Sequence, residues 1–269
     1  MIRKGYTDGP FGQIHWRMME PAQPPSQPDL YCLHPAPFSG LAFTTIMPFL
    51  AQDRRVIAPD FPGHGGSDTF TAKPSVAEYA EAMRAVVADQ SHTAPIDIIG
   101  FHTGNLVAVE MACETASSIR KLALVDVPAF DPEDRAKFLS SAAQPFAITP
   151  ELHCLETPWD RGMTKRLASQ GPDRSFEIFV EQLRHGQHMN AAFHAAFSYD
   201  VEIRLPLVLC PTLILATQSM LLDATRRGAG LMPTARLVER LDIKRAVLDE
   251  AAGATAAEIM CFLDGKDTE

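Results

Sequence analysis

Ile98-Ile99-Gly100-Phe101-His102-Thr103-Gly104-Asn105-Leu106 joins a short apolar run to a helical pattern through a Gly-x-x-x-Gly turn. Pro95 opens the run, and Ile96-Asp97-Ile98-Ile99 has the length and β-branched content of a buried strand. Beyond the turn, Leu106, Val107, Val109 and Met111 continue at helical spacing. Glycines on both sides leave room for a sharp strand-to-helix turn that lifts the side chain between them clear of a sheet. That side chain is His102.

Outward from this turn the chain alternates strands and helices. Gln13-Ile14-His15-Trp16-Arg17-Met18 alternates polar and apolar side chains, which predicts a half-buried antiparallel strand. After a proline-rich loop come the apolar runs Leu30-Tyr31-Cys32-Leu33 and Val56-Ile57-Ala58, with a helical pattern from about Leu41 to Ala51 between them. Val76, Tyr79, Ala80, Met83, Val86 and Val87 mark a helix that Ser75 would cap. Leu122-Ala123-Leu124-Val125, Thr212-Leu213-Ile214-Leu215 and a short run at Leu237-Val238 are further strands, and a last helix ends near Cys261-Phe262-Leu263. This rhythm predicts an α/β fold with a mostly parallel sheet covered by helices on both faces. From 128 to 200 it breaks: helical patterns and aromatic residues such as Trp159, Phe176, Phe179, Phe193 and Phe197 replace the strands. This stretch reads as a helical cap inserted into a core of residues 1–127 and 201–269.

Of the 269 residues, 46% are hydrophobic and 21% charged, ordinary for a globular chain. A net charge of −9, with no basic run, argues against nucleic-acid or anionic-membrane partners. Cys32, Cys113, Cys154, Cys210 and Cys261 are odd in number and lack metal-ligand spacing, the pattern of a reduced cytoplasmic protein. No segment is apolar enough to span a bilayer, and Met1-Ile2-Arg3-Lys4-Gly5-Tyr6 lacks a signal-peptide core. His185 and His188 have near-helical spacing but no third ligand in view, so they read as solvated or packing histidines. No metal and no cofactor are expected.

Four segments, in order, resemble the α/β-hydrolase superfamily over nearly the full length, which implies a mostly parallel central sheet of about eight strands. Leu33-His34-Pro35-Ala36-Pro37-Phe38-Ser39-Gly40 resembles the His-Gly loop after the third strand. Arg55-Val56-Ile57-Ala58-Pro59-Asp60-Phe61-Pro62-Gly63-His64-Gly65-Gly66-Ser67-Asp68 resembles the turn after the fourth and is the most specific match. Gly100-Phe101-His102-Thr103-Gly104 matches the nucleophile elbow, and Pro211-Thr212-Leu213-Ile214-Leu215 the strand that leads to the catalytic acid. The resemblance implies a Ser-His-acid triad, yet His102 stands at the serine position, Met220 at the acid and Arg245 at the base histidine, an alignment that can slide by a residue or two. Asp126, at the carboxyl end of its strand, is either a substitute acid or a structural carboxylate that caps a helix or joins a loop ion pair. Asp223 reads as a helix cap. His34 and His64 belong to fold-forming loops.

On this alignment the amides of Ala36 and Thr103 form an oxyanion hole beside His102, a general base without a serine nucleophile. Asp126 would fix its tautomer; Arg245 would disfavour imidazolium and offer a fork to a substrate carboxylate or enolate. The function expected is a small-molecule enzyme of hydrolase type acting on an ester, lactone or carbon–carbon bond, with an anionic or enolisable substrate. The alternatives are a lyase or isomerase that takes a proton next to a carbonyl, and a non-catalytic ligand-binding or interaction protein. Assembly is open, with a homodimer among the options.

Overall fold

The computed structural model describes residues 1–69, 73–91, 95–142 and 146–265. Eight strands form one sheet in the order β1-β2-β4-β3-β5-β6-β7-β8. They are β1 (Ile2–Gly9), β2 (Gly12–Met19), β3 (Leu30–Leu33), β4 (Val56–Pro59), β5 (Ile96–Phe101), β6 (Ile119–Val125), β7 (Thr212–Thr217) and β8 (Ala235–Arg240). β1 pairs antiparallel with β2 and β2 with β4, whereas the remaining pairings are parallel. β2 is antiparallel, as its alternation predicts, but it is not half-buried: His15 and Arg17 on its polar face are buried too, because both reach the buried Asp60. β1 has no such pattern, because as an edge strand it stays largely exposed.

The parallel strands β3 to β7 bury both faces, whereas the edge strand β8 is half exposed, and period-two alternation sorts the buried side chains into two cores. Ile98, Leu122 and Leu124 face one side, under helices α1 (Val76–Gln90) and α2 (Thr103–Glu114). Ile99, Ala123, Val125, Leu213 and Leu215 face the other, against Phe43, Met47 and Leu50 and the C-terminal helix. Ser75 caps α1 as expected: its hydroxyl accepts from the Glu78 amide at 3.2 Å, and the Glu78 carboxylate accepts from the Ser75 amide at 2.7 Å. The helix expected from Leu41 to Ala51 is instead a 3₁₀ turn, Gly40–Phe43, and a separate short helix, Met47–Leu50. Pro48 supplies no amide hydrogen, which suits the first turn of a helix and not its interior.

No strand occurs between 128 and 200 among the described residues. That stretch contains α3 (Pro132–Ala142), α4 (Leu167–Leu183) and α5 (Ala191–Ser198), and the fold closes with α6 (Leu222–Leu231) and α7 (Ala252–Leu263). α4 is kinked where Gly171 takes φ 74° just before Pro172. Glu181 on α4 ties this region to the sheet: it accepts a hydrogen bond from the Ser39 hydroxyl and approaches Arg17 Nη2 at 3.4 Å.

A second tie is a buried histidine cluster. His185 Nδ1 lies 2.7 Å from the Gly63 carbonyl, and its ring is 4.4 Å from that of His64, which lies 5.3 Å from His34. His185 is thus a buried packing residue and not a solvated one. Burial is the first cause that pulls all three imidazoles below the ordinary value, to about 4 for His34. Below pH 6.5 the unfolded chain takes up protons that the folded one refuses, so stability is full above that pH and falls towards pH 4. Each histidine contributes a slope of up to about 1.4 kcal/mol per pH unit. Thermal melts from pH 7.5 to 4.5 are expected to show a level region and then a steep descent, shallower in His64→Gln. A flat profile from 6.5 to 5 would contradict this.

No helix among the described residues is long and apolar enough to cross a membrane. Nor does any group of three or more His, Cys, Asp or Glu among them have a metal-holding arrangement.

Candidate active site

The turn between β5 and α2 depends on both its glycines. A Cβ on Gly104 would lie 2.0 Å from the Leu33 carbonyl oxygen, and one on Gly100 would lie 2.6 Å from the Asn105 Cα. The side chain of Asn105 fastens the turn to β6: its Nδ2 donates to the Val125 and Asp126 carbonyls at 2.8 and 3.1 Å, and its Oδ1 accepts from the Val125 amide at 3.1 Å. His102 is held at the apex with φ 50° and ψ −116°, a conformation costly for a residue with a Cβ. Asp126, ending β6, and Ala246, in the loop after β8, are the other non-glycine residues with positive φ among those described. All three line one cavity. Backbone strain is therefore concentrated at the carboxyl ends of the strands, where open parallel sheets bind ligands.

This first cavity, of about 200 Å³, is also lined by Phe38, Arg166, Gln170, Thr217, Lys244, Arg245 and Asp249. A second, of about 250 Å³, is walled by Phe130, Phe138, Phe193 and Phe197 together with Ala36, Thr103 and Met220. His102 lines both, with 36% of its side chain exposed. Ala36 and Thr103 thus meet His102 at one cavity, and Thr103 opens α2, where a first-turn amide has no carbonyl partner within the helix.

Asp126 is brought to His102 as well. Its Oδ2 lies 4.0 Å from His102 Nε2, an ion-pair approach longer than a hydrogen bond. The fully buried carboxylate also accepts from the Thr217 amide and hydroxyl at 2.8 and 2.7 Å, tying β6 to β7. Its structural role is therefore real, without excluding an electrostatic one. Burial pulls the His102 pKa down, the Asp126 charge opposes that, and Arg166 reinforces it.

Arg245 reaches the cavity, as expected of it, but is not among the charges that act on His102. Its side chain is 58% exposed at the cavity rim, with Nε 3.2 Å from Glu250. Arg166, beside the start of α4, is the cation that acts on His102. No local pattern in Met163-Thr164-Lys165-Arg166-Leu167 marks that residue, because only the packing of the helical region over the sheet brings it to the cavity. Its guanidinium lies over the Phe38 ring at 5.0 Å, and its Nε is buried without a hydrogen-bond partner. Met220 is 92% exposed at the edge of the aromatic cavity. Asp223 does not cap α6: Leu221 is the N-cap residue, and Asp223 Oδ1 approaches Arg226 Nη1 at 3.5 Å on the surface.

Known proteins share this architecture. The enol-lactonase from Burkholderia xenovorans LB400 superposes with a TM-score of 0.80 at 19% identity, over 97% of this chain and 100% of that one. A thermophilic esterase from Thermogutta terrifontis superposes at 0.74 with 19% identity, over 99% and 100%. At such identity they share the fold alone. By sequence, the magnesium-chelatase 30 kDa subunit of Rhodobacter capsulatus is 30% identical over 109 residues, 39% of this chain and only 36% of that protein's length. A family model described as the alpha/beta hydrolase family matches residues 30–256. Because that match takes in every parallel strand as well as the turn carrying His102, the chain belongs to the alpha/beta hydrolase family.

Proposed function

We propose that the protein is a small-molecule hydrolase of this family in which His102 stands in the serine's place and acts as general base on water. The observation that carries the reading is the meeting of His102 with the Ala36 and Thr103 amide positions at one cavity and with Asp126 at 4.0 Å. Among the described residues, no histidine other than His102 lines either cavity, so a serine or threonine hydroxyl there has no separate imidazole to deprotonate it.

The proposed reaction needs no covalent enzyme intermediate. With Asp126 on the Nε2 side, Nδ1 takes a proton from water as the water oxygen bonds to the carbonyl carbon of an ester or lactone. The resulting oxyanion accepts hydrogen bonds from the two amides. Collapse breaks the carbon–oxygen bond to the leaving group, and the imidazolium returns its proton to the departing alkoxide. Asp126 steadies that imidazolium. A base held below its ordinary value is unprotonated at neutral pH but intrinsically weaker, so the oxyanion hole supplies the larger share of the acceleration.

We place this chemistry in a core formed by residues 1–127 and 201–269, with 128–200 as its cap, in the cytoplasm. Pre-steady-state hydrolysis of aryl esters tests the mechanism. Product release is expected to be linear from the first turnover, and a serine-directed fluorophosphonate is expected to leave the protein unlabelled. A burst equal to the enzyme concentration, or stoichiometric labelling, would mean that a hydroxyl such as that of Ser219 is the nucleophile.

A further inference from the structure

We infer, building on the reading above, that Arg166 forms a carboxylate-binding subsite on one side of His102, and that the substrate is an amphiphilic carboxylate whose apolar body occupies the phenylalanine-walled cavity on the other. The two cavities meet at His102 and differ in kind. One carries Arg166, Lys244, Arg245, Asp126 and Asp249, whereas four phenylalanines wall the other. A molecule spanning both would present the bond between its two ends to the imidazole.

Burial and the charges already engaged point to Arg166 as the group that receives an anion, since Lys244, which lines the same cavity, is exposed to solvent. Asp126 is held by Thr217 through both oxygens. Asp249 accepts from Thr45 at 2.7 Å, from Arg174 Nε at 2.9 Å and from Gln170 Nε2. Arg245 pairs with Glu250 at the rim. Arg166 makes no ion pair within 4.0 Å among the described residues, although the Asp249 charge acts on it from farther away, and its Nε is buried without an acceptor. A guanidinium cannot shed its charge to escape that cost, so it gains from an incoming anion, which its planar fork can bind in two-point fashion. Phe38 stacks against it and holds the plane in place. Gln170 Oε1, lining the same cavity, is a buried acceptor that likewise has no partner. The unmet Arg166 donor favours an anionic head, whereas the Gln170 acceptor calls for a donor elsewhere on the ligand, such as a hydroxyl beside the carboxylate.

Calorimetric titration of the full chain with 4-phenylbutanoate and with 4-phenylbutanamide separates charge from shape. The acid is expected to bind roughly 10–100-fold tighter than the amide, the range of a charge-assisted hydrogen-bonding pair. Arg166→Gln should abolish that preference, and Arg166→Lys, which keeps the charge and loses the fork, should retain part of it. The His102 imidazole supplies a second readout by NMR: its pKa should rise when the acid binds and stay unchanged with the amide. In His102→Ala the preference should persist, so unchanged hydrolysis in that variant alongside retained acid binding would overturn the general-base reading and leave the subsite standing. Equal binding of acid and amide by the wild-type protein, or a preference that survives in Arg166→Gln, would overturn the subsite. Equal affinity for acetate and 4-phenylbutanoate would overturn the assignment of the aromatic cavity to the same ligand.

Discussion

His102→Ala is expected to lower kcat/KM for the best ester or lactone substrate by roughly 10²–10⁴-fold, the usual contribution of a positioned general base. Most of the loss should fall on kcat, because the imidazole acts on the proton in flight and the cavity walls bind the ground state. His102→Ser should be no better than alanine. A serine at the apex would have the right backbone, but neither cavity offers a second histidine among the described residues to deprotonate it. The wild-type rate should stay level as pH falls through the ordinary histidine range, declining only at more acid pH, since burial holds the His102 pKa down. Steady-state assays over pH with the three proteins decide the matter. Unchanged turnover in His102→Ala would end the general-base reading.

Asp60→Ala is expected to cost about 3–5 kcal/mol of stability, the usual consequence of removing one partner from a buried ion pair. Asp60 is fully buried where β4 gives way to its loop, and four donors converge on it. His15 Nδ1 lies 2.8 Å away, Arg17 Nη1 2.7 Å, and the amides of Gly40 and Gly66 2.8 and 2.9 Å. Burial alone would raise the carboxyl pKa, but the His15 hydrogen bond, the Arg17 charge and the Gly66 amide outweigh it and hold it below the ordinary range. Its contribution is thus complete at neutral pH and is lost only as pH falls through that lowered pKa. Alanine would leave Arg17 with Glu181 at 3.4 Å as its remaining carboxylate, and two glycine amides without acceptors. The melting temperature should fall by roughly 10 °C. Asp242→Ala, at an exposed pair with Arg240, should barely move it. Equal effects in the two variants would refute this account of Asp60.

Asp60 and Arg166 mark the two ends of what could be read in advance. The turn that contains Asp60 was recognisable from Pro59-Asp60-Phe61-Pro62-Gly63-His64-Gly65 because turns depend on neighbouring residues, and Gly63 and Gly65 do take positive φ there. The strands were recognisable for a similar reason, since burial on both faces leaves unbroken apolar runs. Ala36, Thr103 and His102 fall together through the resemblance of their loops to the family's, and Asp126 because it follows the end of a strand. The resemblance also brings Arg245 near the cavity, at the position of the base histidine, but the direction of a long side chain in a loop depends on what competes for it. Glu250 holds it at the rim.

The sequence by itself determined the order of elements, the parallel sheet, the sharp turn and the identity of the side chain at its apex. All of these rest on periodicity and on steric rules that act within a few residues. Only the tertiary structure decided which charges face His102. Arg166 arrives on the helical region between β6 and β7, Asp249 is claimed by Arg174 and Gln170, and Asp126 is shared with Thr217. Desolvation and pairing depend on every group packed around a site, whatever its distance along the chain, and so the chemistry of this cavity is a property of the folded molecule.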